Sequence, residues 1–267
     1  MIPLEDSHLD ILGKAQRGLG LSDAQLIEKS GLSAAELEAV REGATTSLSK
    51  LAGPLGLSAS ALVASAHKEW VPEPVELDGL AQFNTAFDDM TVNAYLVWDA
   101  LTREAAVFDT GTDCTAILET LKSANLKLSA VFLTHTHDDH IADLDRLIEK
   151  TKVPFRVNRR EPMEGAELFD EGQQYAVGSL RIETRLTCGH AVGGITYVVH
   201  GLGKPLAIVG DAIFAGSMGG GKISYTDALD TNRKNIFSLP GETILAPGHG
   251  PLTTVAAEKI HNPFFAA

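Results

Sequence analysis

The sequence of 267 residues has little cysteine, a minority of basic residues and no long apolar run. Its two cysteines, Cys114 and Cys188, are too few for a disulfide framework, which favours a reducing compartment. No apolar segment reaches the roughly 20 residues that a membrane-spanning helix needs. The first six residues include two acids and no base, unlike a secretory signal peptide. We therefore expect a soluble cytoplasmic protein.

Basic residues are outnumbered, since 22 Lys and Arg stand against 35 Asp and Glu and give a formal net charge of −13. This surplus of negative charge argues against a broad nucleic-acid footprint and against binding to anionic membranes. The partner that we expect is a small-molecule substrate. The length of the chain suits one large domain and one small one.

Residues 1–70 have the composition of a small all-α helical bundle. They are rich in Leu, Ala, Ser and Glu, and their apolar residues recur at helical spacing. Serines stand where helices should begin, at Ser22 and at Ser33, and the second has Glu36 three positions later as in a capping box. Two more short helices are predicted near residues 47–55 and 58–68, and we expect a compact bundle of five short helices.

A linker is predicted at residues 71–80, where Pro72 and Pro74 interrupt the helical pattern. Residues 81–267 then alternate strand-like and helix-like segments, which predicts an α/β domain. Strands are predicted at 92–98, 105–108, 130–133, 155–157, 180–185, 195–199, 206–209 and 243–245, and helices at 115–123 and 144–150.

Histidine and aspartate side chains follow several of these apolar strands. The densest group is His-x-His-x-Asp-His, directly after the predicted strand at 130–133. Loops at strand ends hold side chains rigidly and leave them open to a pocket, which is where a catalytic metal needs its ligands. The candidate ligands are His135, His137, Asp139, His140, His190, Asp211 and His249.

These seven groups are too many for one tetrahedral ion, but a bridging carboxylate lets them serve two ions roughly 3.5–4 Å apart. Imidazole and carboxylate ligands suit Zn²⁺, Fe²⁺ or Mn²⁺. A lone histidine is more often a surface or core residue, whereas this spacing arises by chance well under roughly once in a thousand such chains. Four histidines are left without a role: His8, His67, His200 and His261.

The ordered set HxHxDH, His190, Asp211 and His249 resembles the metallo-β-lactamase superfamily over about residues 80–265. The resemblance implies an αββα sandwich with the site at the edge where its two sheets meet. It also implies one metal on His135, His137 and His190. By the same resemblance Asp139, His140 and His249 hold the second metal, and Asp211 bridges the two.

The closer resemblance is to the glyoxalase II-like branch, on the segments at residues 211–219 and 247–254. Asp211 argues against a dedicated β-lactamase, since true β-lactamases of the superfamily lack the bridging aspartate. We predict a dinuclear hydrolase in which a metal-bridging hydroxide attacks an activated carbonyl, a thioester of the hydroxyacylglutathione type. Zinc is the expected metal, with iron or manganese as alternatives. Asp139 lies near the leaving group in such enzymes and is the predicted proton carrier, while Lys222 and Tyr225 are candidate substrate contacts.

Departures from that branch keep other functions open. Cys188 stands where a proline is common, and Gly220 to Lys222 replace a stretch that often contains arginine. The alternatives are a lactone or other ester hydrolase, a single-iron persulfide dioxygenase, and a metal- or ligand-sensing regulator that uses the N-terminal bundle.

Residues 23–33 resemble the helix-turn-helix of Cro- and repressor-type DNA-binding proteins. Residues 1–70, however, hold six basic residues against nine acidic ones, and the segment that would read DNA, residues 34–42, has three Glu and one Arg. Phosphate contacts supply much of DNA affinity, so this surface would repel DNA. We predict instead a scaffold that docks on the catalytic domain or pairs subunits in a homo-oligomer.

Overall fold

A computed structural model describes residues 2–266, and five helices come first in it. Their bounds are α1 (His8–Gly18), α2 (Asp23–Ser30), α3 (Ala34–Arg41), α4 (Leu48–Ala52) and α5 (Ala59–Ala66). The helices α1, α2 and α3 each begin with a complete capping box, on Ser7, Ser22 and Ser33. Gly31 ends α2 at φ +70°, a conformation that favours glycine. Two of these helices thus begin at the serines that the sequence indicated.

The first sheet has six strands, in the order in which they follow along the chain. They are β1 (Leu80–Phe87), β2 (Met90–Trp98), β3 (Glu104–Phe108), β4 (Lys127–Phe132), β5 (Phe155–Asn158) and β6 (Glu167–Phe169). The first three strands pair antiparallel and the others parallel. Parallel neighbours need crossover connections. Two of the three are helical: α6 (Thr115–Ser123) precedes β4, and α7 (Asp138–Ile141) and α8 (Leu144–Thr151) precede β5, whereas a loop joins β5 to β6.

The second sheet also has six strands in chain order. They are β7 (Gln174–Val177), β8 (Leu180–Leu186), β9 (Ile195–His200), β10 (Leu206–Gly210), β11 (Ile244–Pro247) and β12 (Thr253–Thr254). All pairs are antiparallel except β10 with β11, which are joined by the crossover helix α9 (Tyr225–Asn235). The last helix, α10 (Val255–His261), follows β12.

Three apolar clusters separate the layers. Alternate residues of β2 face opposite ways, so Tyr95 packs between the two sheets while Leu96 packs under α6 and α8. The third cluster covers the outer face of the second sheet with α9, α10 and the five N-terminal helices. The α/β class and the αββα sandwich are therefore confirmed.

The N-terminal helices share their core with the sandwich. Ile11 and Leu12 of α1 belong to the same cluster as Val209 of β10 and Ile213 beyond it. Residues 67–79 carry no helix or strand. The domain limits at 70 and 81 and the likeness to a DNA-binding motif stay predictions. Within residues 2–266, no helix is both long and apolar enough to cross a membrane.

Candidate metal centre

The structure brings all seven predicted ligand side chains together. They lie in segments that follow four strands: β4 for the HxHxDH segment, β8 for His190, β10 for Asp211 and β11 for His249. Their possible ligand atoms form two groups, with the atoms of each group within 4.8 Å of one another. The first group is His135, His137, His190 and Asp211, and the second is Asp139, His140 and His249.

Asp211 faces both groups with different oxygens. Its Oδ2 lies 3.2 Å from Nε2 of His190 in the first group. Its Oδ1 lies 3.2 Å from Nε2 of His140 and 3.5 Å from Nε2 of His249 in the second. Asp139 Oδ2 is 3.2 Å from the same His249 nitrogen. A carboxylate placed in this way can bridge two cations.

Three of the histidines are oriented by a hydrogen bond on the ring nitrogen that faces away from the centre. The pairs are His140 Nδ1 with Asp109 Oδ2 at 2.8 Å, His190 Nδ1 with the Gly219 carbonyl at 2.8 Å, and His249 Nδ1 with the Thr91 carbonyl at 2.6 Å. Because a carbonyl or carboxylate only accepts, each Nδ1 carries the proton when the ring is neutral. Each Nε2 then turns its lone pair to the centre, as a metal ligand requires.

Asp109 orients His140, a role that the sequence pattern did not predict. It is buried at the end of β3 in a left-handed conformation, φ +55°. Its carboxylate accepts from the backbone N–H and the hydroxyl of Thr134, both at 2.7 Å, as well as from His140. The available sequence signal was an aspartate at a strand end, the same signal that identified Asp211.

Glu161, just after β5, is a second residue that the sequence reading missed. Its Oε2 accepts from the backbone N–H and the hydroxyl of Thr136, at 2.8 and 2.9 Å. Its Oε1 accepts from the N–H of Gly193 at 2.8 Å. One carboxylate therefore ties the segment between His135 and His137 to the loop after His190.

Two glycines leave room for the centre. A Cβ on Gly248 would lie 2.2 Å from Asp211 Oδ1 and 2.6 Å from His140 Cε1. A Cβ on Gly219 would lie 2.3 Å from the Asp211 carbonyl oxygen and 2.8 Å from His190 Nδ1. Both contacts are closer than real Cβ atoms approach, so only glycine fits at either position.

The charges around the second group favour a cation. Burial acts to raise the pKa of Asp211, but neighbouring imidazoles, first that of His249, hold it well below its usual range. Burial acts to lower the pKa of His140, yet the carboxylates of Asp211 and Asp109 raise it to about 10. Burial opposes protonation of His249 as well, and Asp211 and Asp139 raise its pKa to about 11. A metal ion bound here would take the place of these protons.

In the first group the histidine His135 is held neutral, and between the two groups one pair of buried atoms has the arrangement that a cation needs. Burial, then the charge of His140, lowers the pKa of His135 well below its usual value, which leaves the neutral ring that ligates metals. Among the described side chains, His140 Nε2 and Asp211 Oδ1 are buried without a hydrogen bond, although they lie 3.2 Å apart. Buried polar atoms normally have partners, so this pair suits a metal ion.

The two predicted substrate contacts lie in different surroundings. Lys222 is exposed, and after burial and His190 its charge helps to lower the pKa of His137. The backbone N–H of the next residue, Ile223, donates to the Gly189 carbonyl, directly before His190 of the first group. Tyr225 is buried, and its ring packs against Phe264 and against the backbone of Gly18 in α1. Its packing serves the contact between bundle and sandwich, and substrate binding by either residue stays a prediction.

Comparisons with known proteins agree on the sandwich. The family model of the metallo-beta-lactamase superfamily matches residues 87–249. A probable metallo-hydrolase of Streptococcus pyogenes is 30% identical over 199 residues, 64% of this chain and 84% of that protein. Hydroxyacylglutathione hydrolase GloC of Haemophilus influenzae is 27% identical over 205 residues, 67% of this chain and 94% of GloC. The crystal structure of BLEG-1, a B3 metallo-beta-lactamase, matches with a TM-score of 0.62 and 27% identity, over 70% of this chain and 100% of that chain.

Proposed function

Because this chain belongs to the metallo-beta-lactamase superfamily and is a metallo-hydrolase by that membership, we propose that it uses two divalent metal ions to hydrolyse a thioester of the hydroxyacylglutathione type. The observation that carries the proposal is the position of Asp211, whose two oxygens face separate groups of ligands. The name of GloC, the Haemophilus influenzae relative, supports the choice of thioester.

In this proposal the two groups each hold one ion and Asp211 bridges them. Zinc suits these nitrogen and oxygen donors, and iron or manganese would also be accepted. When bound, two such ions lower the pKa of a shared water and polarise a carbonyl. The chain itself holds three imidazoles in the ligating tautomer through Asp109, Gly219 and Thr91.

Asp139 is the proposed proton carrier. Its side chain is 13% exposed, more than the 8% of Asp211, and it contacts His249. Burial acts to raise the pKa of Asp139, but the hydrogen bond from His249 brings it below its usual value. An ionised carboxylate at neutral pH can accept a proton from an attacking water and pass it on.

Residues near the first group fit an anionic substrate with an apolar portion. Lys222 supplies an exposed positive charge. Its neighbour Ile223 is 61% exposed, and its N–H donates to the Gly189 carbonyl, directly before His190. Val192, two residues after His190, is 48% exposed. The exposed apolar side chains can contact the acyl portion of a thioester, and the ammonium group beside them can bind its carboxylates.

The test is a substrate panel assayed with the zinc, iron and manganese forms: glutathione thioesters, lactones, β-lactams and phosphoesters. β-Lactams are included because BLEG-1 is similar. We expect the thioester to have the highest kcat/KM and metal analysis to find two ions per chain. A single iron with oxygen uptake would support the persulfide dioxygenase alternative. Turnover of no substrate in the panel by any form would refute the proposed hydrolysis.

Two variants sharpen this test. Asp211→Asn should abolish turnover of every substrate, since an amide cannot serve as an anionic bridge.

Lys222→Met should raise KM for the charged thioester and leave KM for a neutral ester unchanged, because only the charged substrate needs the ammonium group. An equal effect of Lys222→Met on both esters would remove Lys222 from the binding site.

A further inference from the structure

The turn Phe214–Gly219 connects the metal centre to the N-terminal helices. Every residue from Asp211 to Gly220 is buried. Phe214 and Ser217 exchange two backbone hydrogen bonds of 3.0 Å, which close the turn. Its last residue, Gly219, accepts the hydrogen bond of His190 Nδ1 at 2.8 Å. The position of this turn therefore sets the orientation of a ligand of the first group.

Lys14 of α1 holds the same turn from the opposite side. Its ammonium group donates to the Met218 carbonyl at 2.8 Å and forms an ion pair with Asp6. The Asp6 carboxylate also accepts from the Ser217 hydroxyl. The side chains of Lys14 and Asp6 are only 16% and 8% exposed. The ammonium further lies 5.0 Å from the ring centroid of Phe214, so charge, hydrogen bonds and an aromatic face all converge on it.

The peptide between Met218 and Gly219 is the part of the turn that Lys14 restrains. The Met218 carbonyl and the Gly219 N–H belong to the same planar peptide group. Lys14 binds its oxygen, and the Asp211 carbonyl accepts from its N–H at 3.0 Å. Fixed at both ends, the peptide has one orientation, and the next carbonyl, that of Gly219, then points at His190.

We propose that Lys14 is a positioning residue for the metal ligand His190, so that the N-terminal bundle completes the outer shell of the first metal group. The inference rests on the proposed two-metal function. Hydrogen-bond partners of metal-bound histidines typically change metal affinity by roughly 10–100-fold when they are removed. Lys14 does not contact His190 itself. It binds the peptide between Met218 and Gly219, and the Gly219 carbonyl is the hydrogen-bond partner of His190.

The experiment measures zinc affinity and stoichiometry of the full-length protein by competition with a chelator, together with the visible absorption of the cobalt form. Lys14→Met keeps the apolar stem and removes the charge, and we expect one of the two ions to bind about 10-fold more weakly. Lys14→Arg should restore most of the affinity. The matched control is Lys50→Met, which removes another bundle lysine from an exposed ion pair with Glu36.

Melting temperatures separate positioning from a merely structural role. A positioning residue reduces the gain in melting temperature on zinc addition, whereas a structural one lowers the metal-free and zinc-bound values alike. If Lys14→Met does not fold, Ser217→Ala removes only the hydroxyl that Asp6 holds, and the same weaker binding is expected. Wild-type affinity for both ions in the variant that folds, or an equal loss in Lys50→Met, would overturn the inference. Absence of zinc binding in the wild type would instead refute the proposed function.

Discussion

Two aspartates act on the same imidazole from opposite sides. Asp211 lies 3.2 Å from Nε2 of His140, and Asp109 lies 2.8 Å from its Nδ1. Both are carboxylates at strand ends, yet only Asp211 shares a group of possible ligands with histidines. Asp109 instead fixes the tautomer of the ring. The ring nitrogen that a carboxylate faces therefore separates a candidate metal ligand from a residue that orients one.

Asp109→Asn should weaken binding of the second ion by roughly 10–100-fold. Asparagine tolerates the left-handed backbone at this position, so the fold should persist. If its amide oxygen keeps the Thr134 N–H, its NH₂ faces His140 Nδ1 and forces the proton onto Nε2, the ligating atom. Zinc titration with a chelator checks this, with the exposed Asp113→Asn as control. Unchanged affinity for both ions would contradict the orienting role.

Helix α10 carries a buried carboxylate below the turn Phe214–Gly219. Glu258 accepts hydrogen bonds from the Thr253 hydroxyl at 2.7 Å, the Asn262 amide at 2.8 Å and the Gly216 N–H at 3.0 Å. Burial raises the pKa of Glu258 to about 7 from the ordinary 4.5, against the opposing effect of these hydrogen bonds. The folded state thus holds this proton more tightly than the unfolded chain does.

This raised pKa makes stability depend on pH in a defined direction. The stabilisation that the folded state gains from protonated Glu258 is complete below pH about 4.5 and is lost as the pH rises through about 7. The free energy of unfolding should fall by about 3 kcal/mol over that window relative to Glu258→Gln, which has no proton to lose. Urea unfolding of metal-free protein between pH 4.5 and 8 measures the difference between the two curves. Titratable groups that both proteins share cancel in this difference. As a control, the exposed Glu242→Gln should show the same dependence of the free energy of unfolding on pH as the wild type.

The whole molecule is held together across the predicted linker. One apolar cluster includes residues of α1 to α5 and of the outer face of the second sheet. Gly18, the last residue of α1, lies against the ring of Tyr225 at the start of α9. The shared cluster predicts that the N-terminal helices and the sandwich unfold in one cooperative transition.

Gly18→Ala tests this contact. Alanine normally stabilises a helix relative to glycine by up to about 1 kcal/mol. Here the added Cβ would lie 2.3 Å from the buried Tyr225 ring, so we expect a loss of about 1–3 kcal/mol in the free energy of unfolding. Gly13→Ala in the same helix is the control, since its Cβ meets only the flexible end of Arg17. Equal or greater stability of Gly18→Ala in urea unfolding would contradict tight docking of the bundle.

Strong local patterns were readable from the sequence. The serine at Ser22 and the capping box at Ser33 located α2 and α3, and helix α6 has the predicted bounds, Thr115–Ser123. Elements without such patterns were missed: β1, β6, β7, β12, α7, α9 and α10. Strand β6 has three residues and β12 has two, too few for any period to show. Strand β1 lacks fully buried positions, because it lies at the edge of its sheet.

The sequence by itself determined the set of candidate ligands, because histidines and aspartates after apolar strands are a local signal. Only the tertiary structure decided how those ligands are held. Lys14 and Met218 are 204 residues apart, and Asp109 and His140 are 31 apart. Nothing in local spacing marks such pairs, since their contact depends on how helices and sheets pack. Packing likewise placed Glu161 between two loops and brought the N-terminal helices against the turn that orients His190.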